Sequence, residues 1–347
     1  MTPGAWAGVA AAIVGLMLVV VLAFKVLAKG HKRMSFKGRH CIVTGGSSGI
    51  GKEVAMQLAR EGAHVTIVAR NVPRLEAALR DVAACAADTA AQRFAWLSLE
   101  LGTCPFGDVQ AAFDAAQAER GPCAALFNVA GMAAPMAFDA APVDSMEALL
   151  RTNLLAAMHA TRAALPGMKA RREGRVLFTA SVAGLMGLYG YTTYAATKFG
   201  LRGFAEALSM EVHAYGIAVS VAFPPDTVTP GYEAENAVKD PVCARISADG
   251  AVFDAPSVAH GMVRGAARGA FRVTTGADAW LTGIAAAAFS PAATAGDAIV
   301  TVLLSGVLRL AALVYLHRWY SFAASALKAQ DRARDKGKAS STGDKLS

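Results

Sequence analysis

The sequence has few cysteines, and none of them fits a disulfide or metal pattern. The five Cys residues are odd in number and irregularly spaced, without a C-x-x-C pair. A disulfide framework and a Cys-rich zinc site are therefore not expected. The seven His residues show no metal-ligand spacing either. We expect no bound metal, and thiols that stay reduced and mostly buried in a protein that faces the cytosol.

Acidic residues are absent from the first 39 positions, which carry six basic side chains. Residues 317–347 add seven basic and three acidic side chains. These two surpluses exceed the net charge of +8, so residues 40–316 are slightly acidic. Basic charge confined to the two ends is typical of segments beside a membrane, and it argues against a nucleic-acid partner.

One long run near the start has no charged residue. The run Trp6 to Phe24 is long enough to span a bilayer. A cleaved signal peptide is the alternative interpretation, but this run lacks a basic start and six basic residues follow it, from Lys25 to Arg39. We therefore expect an uncleaved membrane anchor over residues 1–29, with the following domain on the cytosolic side.

A second apolar region covers residues 279–316 and is interrupted by Asp297 and Arg309. It predicts a membrane hairpin or re-entrant pair with its break at Ser290–Pro291 or Gly296–Asp297. The alternatives are a helical cap docked on the domain and an interface between copies of the chain in a homo-oligomer. The resulting domain plan has a catalytic domain over 30–276, a membrane-associated region over 277–320, and a basic, disordered tail over 321–347.

Apolar runs alternate with helical segments through the middle of the chain. This alternation predicts an α/β fold, a Rossmann-like doubly wound parallel sheet with helices on both faces. An N-terminal transmembrane helix and a hydrophobic helical C-terminal region flank it. The predicted strands are His40–Thr44, His64–Ala69, Phe94–Leu99, Ala124–Phe127, Arg175–Ala180 and Ile217–Phe223.

A glycine-rich turn, TGGSSGIG, follows the first predicted strand at Thr44 to Gly51. A turn of this kind at a helix N-terminus holds the pyrophosphate of a dinucleotide. The residues predicted to bind it are Gly45, Ser47, Ser48, Gly49, Ile50 and Gly51.

A Y-x-x-x-K element lies far downstream, at Tyr194 and Lys198. Residues four apart share one face of a helix, where an ammonium group near a phenol favours the phenolate. Ser181 ends an apolar run 13 positions before Tyr194, and Asn153 lies inside a helical stretch.

In this order and at this spacing, the elements resemble those of the short-chain dehydrogenase/reductase family, over about residues 36–275. The resemblance implies an oxidoreductase in which Tyr194 is the general acid and Ser181 binds the carbonyl oxygen. It implies that Lys198 lowers the Tyr194 pKa and binds the nicotinamide ribose, and that Asn153 holds a water linked to Lys198.

The same resemblance assigns further cofactor contacts and a choice of cofactor. Arg70 stands just past the second strand, where an acid would select NAD, and Arg suits the 2′-phosphate of NADPH. Glu100 stands where the family usually has Asp near the adenine. The other cofactor residues implied are Asn128, Ala130, Gly131, Pro224, Thr227 and Thr229.

The run PPDTVTPG, from Pro224 to Gly231, is similar to that of the 3-ketodihydrosphingosine reductases. This implies NADPH-dependent reduction of 3-oxosphinganine to sphinganine at the endoplasmic reticulum, with a long-chain amino ketone and the lipid bilayer as partners. The alternatives are a membrane-bound retinol or hydroxysteroid dehydrogenase and a scaffold without catalysis. Asp226 is the candidate partner for the substrate ammonium, unless it only caps a turn.

Overall fold

The computed structural model describes residues 31–287, 290–292 and 294–343, together with eight positions between 6 and 19. The predicted anchor over residues 1–29 thus lies largely outside the described residues and stays a prediction.

Seven parallel strands form the main sheet, in the order β3-β2-β1-β4-β5-β6-β9. Strands β7 and β8 pair separately with each other. The predicted doubly wound parallel fold is confirmed, with the change of strand order between β1 and β4. The strands are β1 (His40–Thr44), β2 (His64–Ala69), β3 (Phe94–Ser98), β4 (Cys123–Asn128), β5 (Gly174–Thr179), β6 (Ile217–Phe223), β7 (Thr227–Val228), β8 (Phe253–Asp254) and β9 (Arg272–Thr274).

Helices cover both faces of this sheet. They are α1 (Gly49–Arg60), α2 (Val72–Ala84), α3 (Phe106–Arg120), α4 (Val143–Leu149), α5 (Ala156–Arg171), α6 (Thr192–His213), α7 (Pro230–Asn236), α8 (Pro241–Ser247), α9 (Ala255–Arg268), α10 (Ala277–Ala285) and α11 (Ala295–Gly343). A π-helix, Leu150–Leu155, joins α4 to α5.

The central strands are buried on both sides, which explains their unbroken apolar runs. All residues of β1, β4, β5 and β6 are buried. Side chains of α3, α5 and α6 pack on one face, and those of α1, α2 and α9 pack on the other. The carboxyl ends of β1, β4, β5 and β6 thus meet at one edge, where doubly wound sheets bind their ligands.

The C-terminal region differs from the predicted membrane hairpin. A break does include Ser290 and Pro291, but α10 before it has nine residues, too few to cross a bilayer. Charged Asp297 and Arg309 do not interrupt α11, because one charged side chain costs a helix little. Residues Ala295–Ala329 of α11 are long and apolar enough to cross a membrane.

Helix α11 continues to Gly343, into the segment 321–347 that the sequence predicts to be a disordered tail. The tail has few apolar residues for a core, but it is rich in Ala, Lys and Arg, which favour helix formation without one.

Two polar contacts hold α11 against the catalytic domain. Arg272 Nη2 lies 2.5 Å from Asp297 Oδ1, near the start of the helix. The Trp319 indole N–H donates to Asp249 Oδ2 at 3.3 Å. A helix rises 1.5 Å per residue, so these contacts are about 33 Å apart along its axis. The helix therefore lies alongside the domain over much of its apolar length.

Candidate active site

The glycine-rich turn after β1 is packed too closely for side chains at Gly45, Gly46 and Gly51. A Cβ on Gly45, whose φ is +70°, would lie 2.7 Å from the Ala130 nitrogen, and one on Gly51 would lie 2.3 Å from the Gly45 carbonyl oxygen. Both positions thus require glycine. The turn also brings the end of β1 against Ala130, a predicted cofactor residue after β4.

The N-terminus of α1 is open to a ligand. Ser48 is the N-cap residue, and its side chain makes no capping hydrogen bond. Gly49 faces Thr229, since a Cβ there would lie 3.1 Å from the Thr229 methyl carbon. Ile50 lines the adjoining cavity. Free backbone N–H groups at a helix N-terminus suit phosphate groups.

Thr44 ties the end of β1 to the loop after β4, and Asn128 ties the end of β4 to α5, at the point where the strand order changes. Thr44 Oγ1 accepts hydrogen bonds from the Val129 and Ala130 amides, at 3.1 and 3.2 Å. Asn128 Nδ2 donates to Thr161 Oγ1 at 3.1 Å. Asn128 Oδ1 is buried and has no partner among the described residues. The backbone groups around the glycine-rich turn and the unpaired acceptor Asn128 Oδ1 both fit a dinucleotide.

Ser181 and Tyr194 meet at the carboxyl edge of the sheet. Ser181 follows β5, and its hydroxyl accepts from the Ala183 amide at 3.2 Å. Burial raises the pKa of Tyr194, and the carboxylates of Glu235 and Asp226 raise it further. A hydrogen bond with Ser181 offsets only part of this increase.

The resemblance implied that Lys198 lowers the Tyr194 pKa. The Lys198 ammonium nitrogen lies 5.4 Å from the Tyr194 ring centroid, and this effect of Lys198 stays a prediction. Loss of water around the phenol is the largest cause of the raised Tyr194 pKa. Tyr194 is therefore protonated at neutral pH, which is the form that a proton donor requires.

Lys198 is buried on the same face of α6. Its ammonium donates to the Thr179 carbonyl at 2.8 Å, and burial lowers its pKa to about 8. A Cβ on Gly131 would lie 3.3 Å from this ammonium and 3.4 Å from Asn153 Oδ1. Three residues that are distant in sequence thus converge at one point.

Asn153 is fully buried in the π-helix Leu150–Leu155. Its amide oxygen accepts from the Met132 amide at 2.8 Å, and its amide nitrogen donates to the Met132 carbonyl and to Thr197 Oγ1. Short π-helical segments often occur at functional sites, where they redirect a side chain. Asn153 thus fixes the loop after β4 beside Lys198, while its predicted water stays a prediction.

The loop after β6 closes against the glycine-rich turn. The Pro224 carbonyl accepts from the Val182 amide at 3.2 Å, and Thr227 Oγ1 donates to the Pro225 carbonyl at 2.8 Å. Thr229 Oγ1 accepts from the Tyr232 amide and caps α7. The three predicted cofactor residues Pro224, Thr227 and Thr229 therefore belong to one ordered loop.

Arg70 and Glu100, both predicted to contact the adenosine end of the cofactor, form an ion pair. Arg70 Nη1 lies 2.9 Å from Glu100 Oε1, and both side chains are more than half exposed. The sequence did not predict this pairing. An exposed ion pair is weak, so a phosphate can compete with Glu100 for the guanidinium.

A charged cluster near Tyr194 went unnoticed in the sequence. The Tyr191 hydroxyl donates to Glu235, and the buried Lys239 ammonium lies 3.1 Å from Glu235 and 4.0 Å from Asp226. Burial raises the pKa of Asp226, and Lys239 partly offsets that effect. The i,i+4 spacing of Glu235 and Lys239 was the available signal, but such pairs are common on exposed helices.

These groups face one cavity of about 700 Å³. Ser181, Tyr194, Asp226 and Glu235 line it, and so do apolar residues of α11. The cavity thus combines a proton donor and carboxylates with an apolar wall.

Comparison with known proteins agrees with this geometry. The sequence profile described as short chain dehydrogenase matches residues 39–240. A 3-dehydrosphinganine reductase of Danio rerio is 36% identical over 89% of this chain and 92% of its own length. A 3-ketodihydrosphingosine reductase of Bos taurus is 36% identical over 88% and 91%. A 3-dehydrosphinganine reductase of Arabidopsis thaliana is 34% identical over 87% and 89%.

A solved structure of levodione reductase has the same fold, with a TM-score of 0.62 and 24% identity over 69% of this chain and 96% of that chain. The profile match, these relatives and the convergence of Ser181, Tyr194 and Lys198 lead to one conclusion. The chain belongs to the short-chain dehydrogenase/reductase family.

Proposed function

We propose that this protein reduces 3-oxosphinganine to sphinganine with NADPH, at the endoplasmic reticulum membrane. As a member of its family it is an oxidoreductase with a nicotinamide cofactor. The assignment of 3-oxosphinganine as the substrate rests on the similarity, over about nine tenths of both chains, to relatives named for this reduction. The cavity supports it, because carboxylates near Tyr194 and an apolar wall suit a long-chain amino ketone.

The chain's own residues supply the proton and hold the substrate oxygen. When bound, the nicotinamide cofactor supplies the hydride. Protonated Tyr194 donates its phenol proton to the oxygen as negative charge develops there. Ser181, which hydrogen-bonds Tyr194, binds the same oxygen and stabilises that charge. The Lys198 ammonium, close to Gly131 and Asn153, contributes a positive charge beside the phenolate that remains.

The function is tested by turnover of 3-oxosphinganine by the purified full-length protein, with NADPH and NADH compared. We expect formation of sphinganine with NADPH preferred. Reduction of retinal or of steroid ketones without reduction of 3-oxosphinganine would contradict the proposal and favour another branch of the family.

Asp226 is proposed to bind the substrate ammonium. Its carboxylate lines the cavity near Tyr194. The Asp226→Asn variant should lose about 10-fold or more in kcat/KM on 3-oxosphinganine, the scale of one charged hydrogen bond. A ketone of equal length without the amine should be reduced as before. The ratio of the two kcat/KM values is the measurement.

The matched control is Asp278→Asn, which removes a carboxylate from another wall of the same cavity. It should leave that ratio unchanged. Equal losses on both ketones in Asp226→Asn would mean that Asp226 supports the loop and does not bind the amine.

Arg70 is proposed to bind the 2′-phosphate of NADPH. Arg70→Asp should lower the NADPH/NADH ratio of kcat/KM by about 10- to 100-fold, because a carboxylate repels the phosphate and accepts a hydrogen bond from the free ribose hydroxyl. Steady-state kinetics with both cofactors measure the ratio.

Arg80→Asp is the control, since it makes the same charge reversal inside α2, ten residues after Arg70. A ratio that falls equally in both variants would assign the effect to general electrostatics. An unchanged ratio in Arg70→Asp would show that Arg70 does not contact the phosphate.

The position of α11 along the domain bears on the membrane topology of the chain. Its contacts with the domain, about 33 Å apart, extend over the thickness of a bilayer core. A helix held along the domain over this length cannot also cross the membrane. We propose that α11 lies at the membrane surface, with the catalytic domain and the C-terminal tail both cytosolic and residues 1–29 as the anchor.

A C-terminal epitope tag should therefore be removed when protease is added to sealed microsomes. A tag placed before Trp6 is the control and should stay protected until detergent is added, because a single anchor puts it in the lumen. Protection of the C-terminal tag would show that α11 crosses the membrane.

A further inference from the structure

One face of α11 forms a wall of the active-site cavity. Leu308, Ala312, Leu316 and Trp319 line the same cavity as Tyr194. Their spacing of four, four and three residues places them on a single helix face. This inner face is therefore part of the site in which the reaction takes place.

The opposite face of α11 is apolar too, but it is exposed and does not line the cavity. Val307, Leu310 and Val314 are 69%, 65% and 56% exposed. Anchoring in a membrane requires an apolar helix surface but no contact with the catalytic cavity. The inner face, which lines the cavity, therefore contributes to the site, and the outer face does not.

The cavity is polar near the reacting group and, apart from Arg309, largely apolar along α11. Carboxylates of Asp226 and Glu235 lie near Tyr194, whose pKa both of them raise. The α11 wall offers Leu308, Ala312 and Leu316. A ligand that fits both parts has a polar head and a long apolar tail.

We propose that the inner face of α11 binds the alkyl chain of the substrate and selects long chains over short ones. The proposal rests on the proposed function, since it assumes reduction of a long-chain ketone. Each methylene group that enters an apolar wall strengthens binding about fourfold. A short homologue reaches Tyr194 but leaves the wall uncovered, so it gains none of this binding.

The first test compares a long-chain and a short-chain 3-ketone in mixed micelles of fixed composition, with the full-length protein. Ala312→Phe places a large ring in the wall and should lower kcat/KM for the long ketone about 10-fold or more, with a clearly smaller loss for the short ketone. Leu316→Ala removes contacts and should lower the long/short ratio as well.

Leu310→Phe and Leu310→Ala are the matched controls, because they make the same kinds of change on the outer face of the same helix. They should leave the long/short ratio as in the wild type. Equal losses on both ketones, or the same change in the Leu310 variants, would overturn the proposal.

A second test needs no turnover. A long-chain ketone with a diazirine at the end of its tail should crosslink to the α11 peptide that contains residues 308–319, and excess unlabelled ketone should compete. Crosslinks confined to other segments would overturn the proposal. If crosslinking to α11 occurs but 3-oxosphinganine is not reduced, the proposed function fails and the alkyl-binding face stands.

Discussion

Replacing Tyr194 with phenylalanine should lower kcat by at least ~10²-fold, the usual scale for loss of a positioned proton donor. The phenol is hydrogen-bonded by Ser181, and its raised pKa keeps the proton in place until the substrate oxygen takes it. Cofactor binding should change little, because the glycine-rich turn and the Pro224–Thr229 loop remain. The measurements are single-turnover reduction and NADPH titration by fluorescence.

Tyr191→Phe is the matched control. Tyr191 is three residues away, and the ring centroids are 5.7 Å apart, but its hydroxyl donates to Glu235. Its loss should affect kcat far less than the loss of the Tyr194 hydroxyl. A nearly normal kcat in Tyr194→Phe would refute the assignment of Tyr194 as the acid.

The second large effect is expected at Gly51. A Cβ at this position would lie 2.3 Å from the Gly45 carbonyl oxygen, which is part of the backbone and cannot rotate away. Gly51→Ala should therefore displace the turn and lower kcat/KM for the cofactor about 10²-fold, since small misplacements in a binding site have effects of this size. Cofactor titration measures the loss directly.

Gly107→Ala is the control for this change. Gly107 is in the first turn of α3, and a Cβ there would meet nothing within 4 Å. The variant should bind the cofactor normally and gain a little stability, because Ala favours a helix more than Gly does. Normal cofactor binding by Gly51→Ala would show that the turn adapts, contrary to the packing described.

The centre of the sheet could be predicted closely from sequence because its central strands are buried on both faces. The predicted strands His64–Ala69 and Ile217–Phe223 have the bounds found in the structure. Each is an apolar run, and such runs are recognisable without knowledge of their partners.

The candidate catalytic residues could be recognised in the sequence for a different reason. Ser181, Tyr194 and Lys198 have residue types and spacing that a known family shares, and the topology brings them to one edge of the sheet. The direction of the Tyr194 pKa shift was not predictable, because it depends on how much water the folded protein removes from the phenol.

The features of the site that could not be predicted from sequence depend on tertiary contacts. Tyr191 and Glu235 are 44 positions apart, and no periodicity connects them. The apolar composition of α11 was visible in the sequence, but its docking partners, Arg272 and Asp249, were not. A hydrophobic run looks the same whether it faces lipid, a cavity or both, so the sequence could not separate a membrane hairpin from a helical cap docked on the domain.

The docking of α11 has a practical consequence for biochemistry with this enzyme. Hydrophobic C-terminal helices are commonly deleted to obtain a soluble sample for assay or inhibitor screening. A chain shortened before Ala295 would keep Tyr194, Ser181 and Lys198, yet its cavity would be open to solvent where Leu308 and Leu316 now stand. Compounds selected on such a sample would be fitted to a pocket that the intact enzyme does not have.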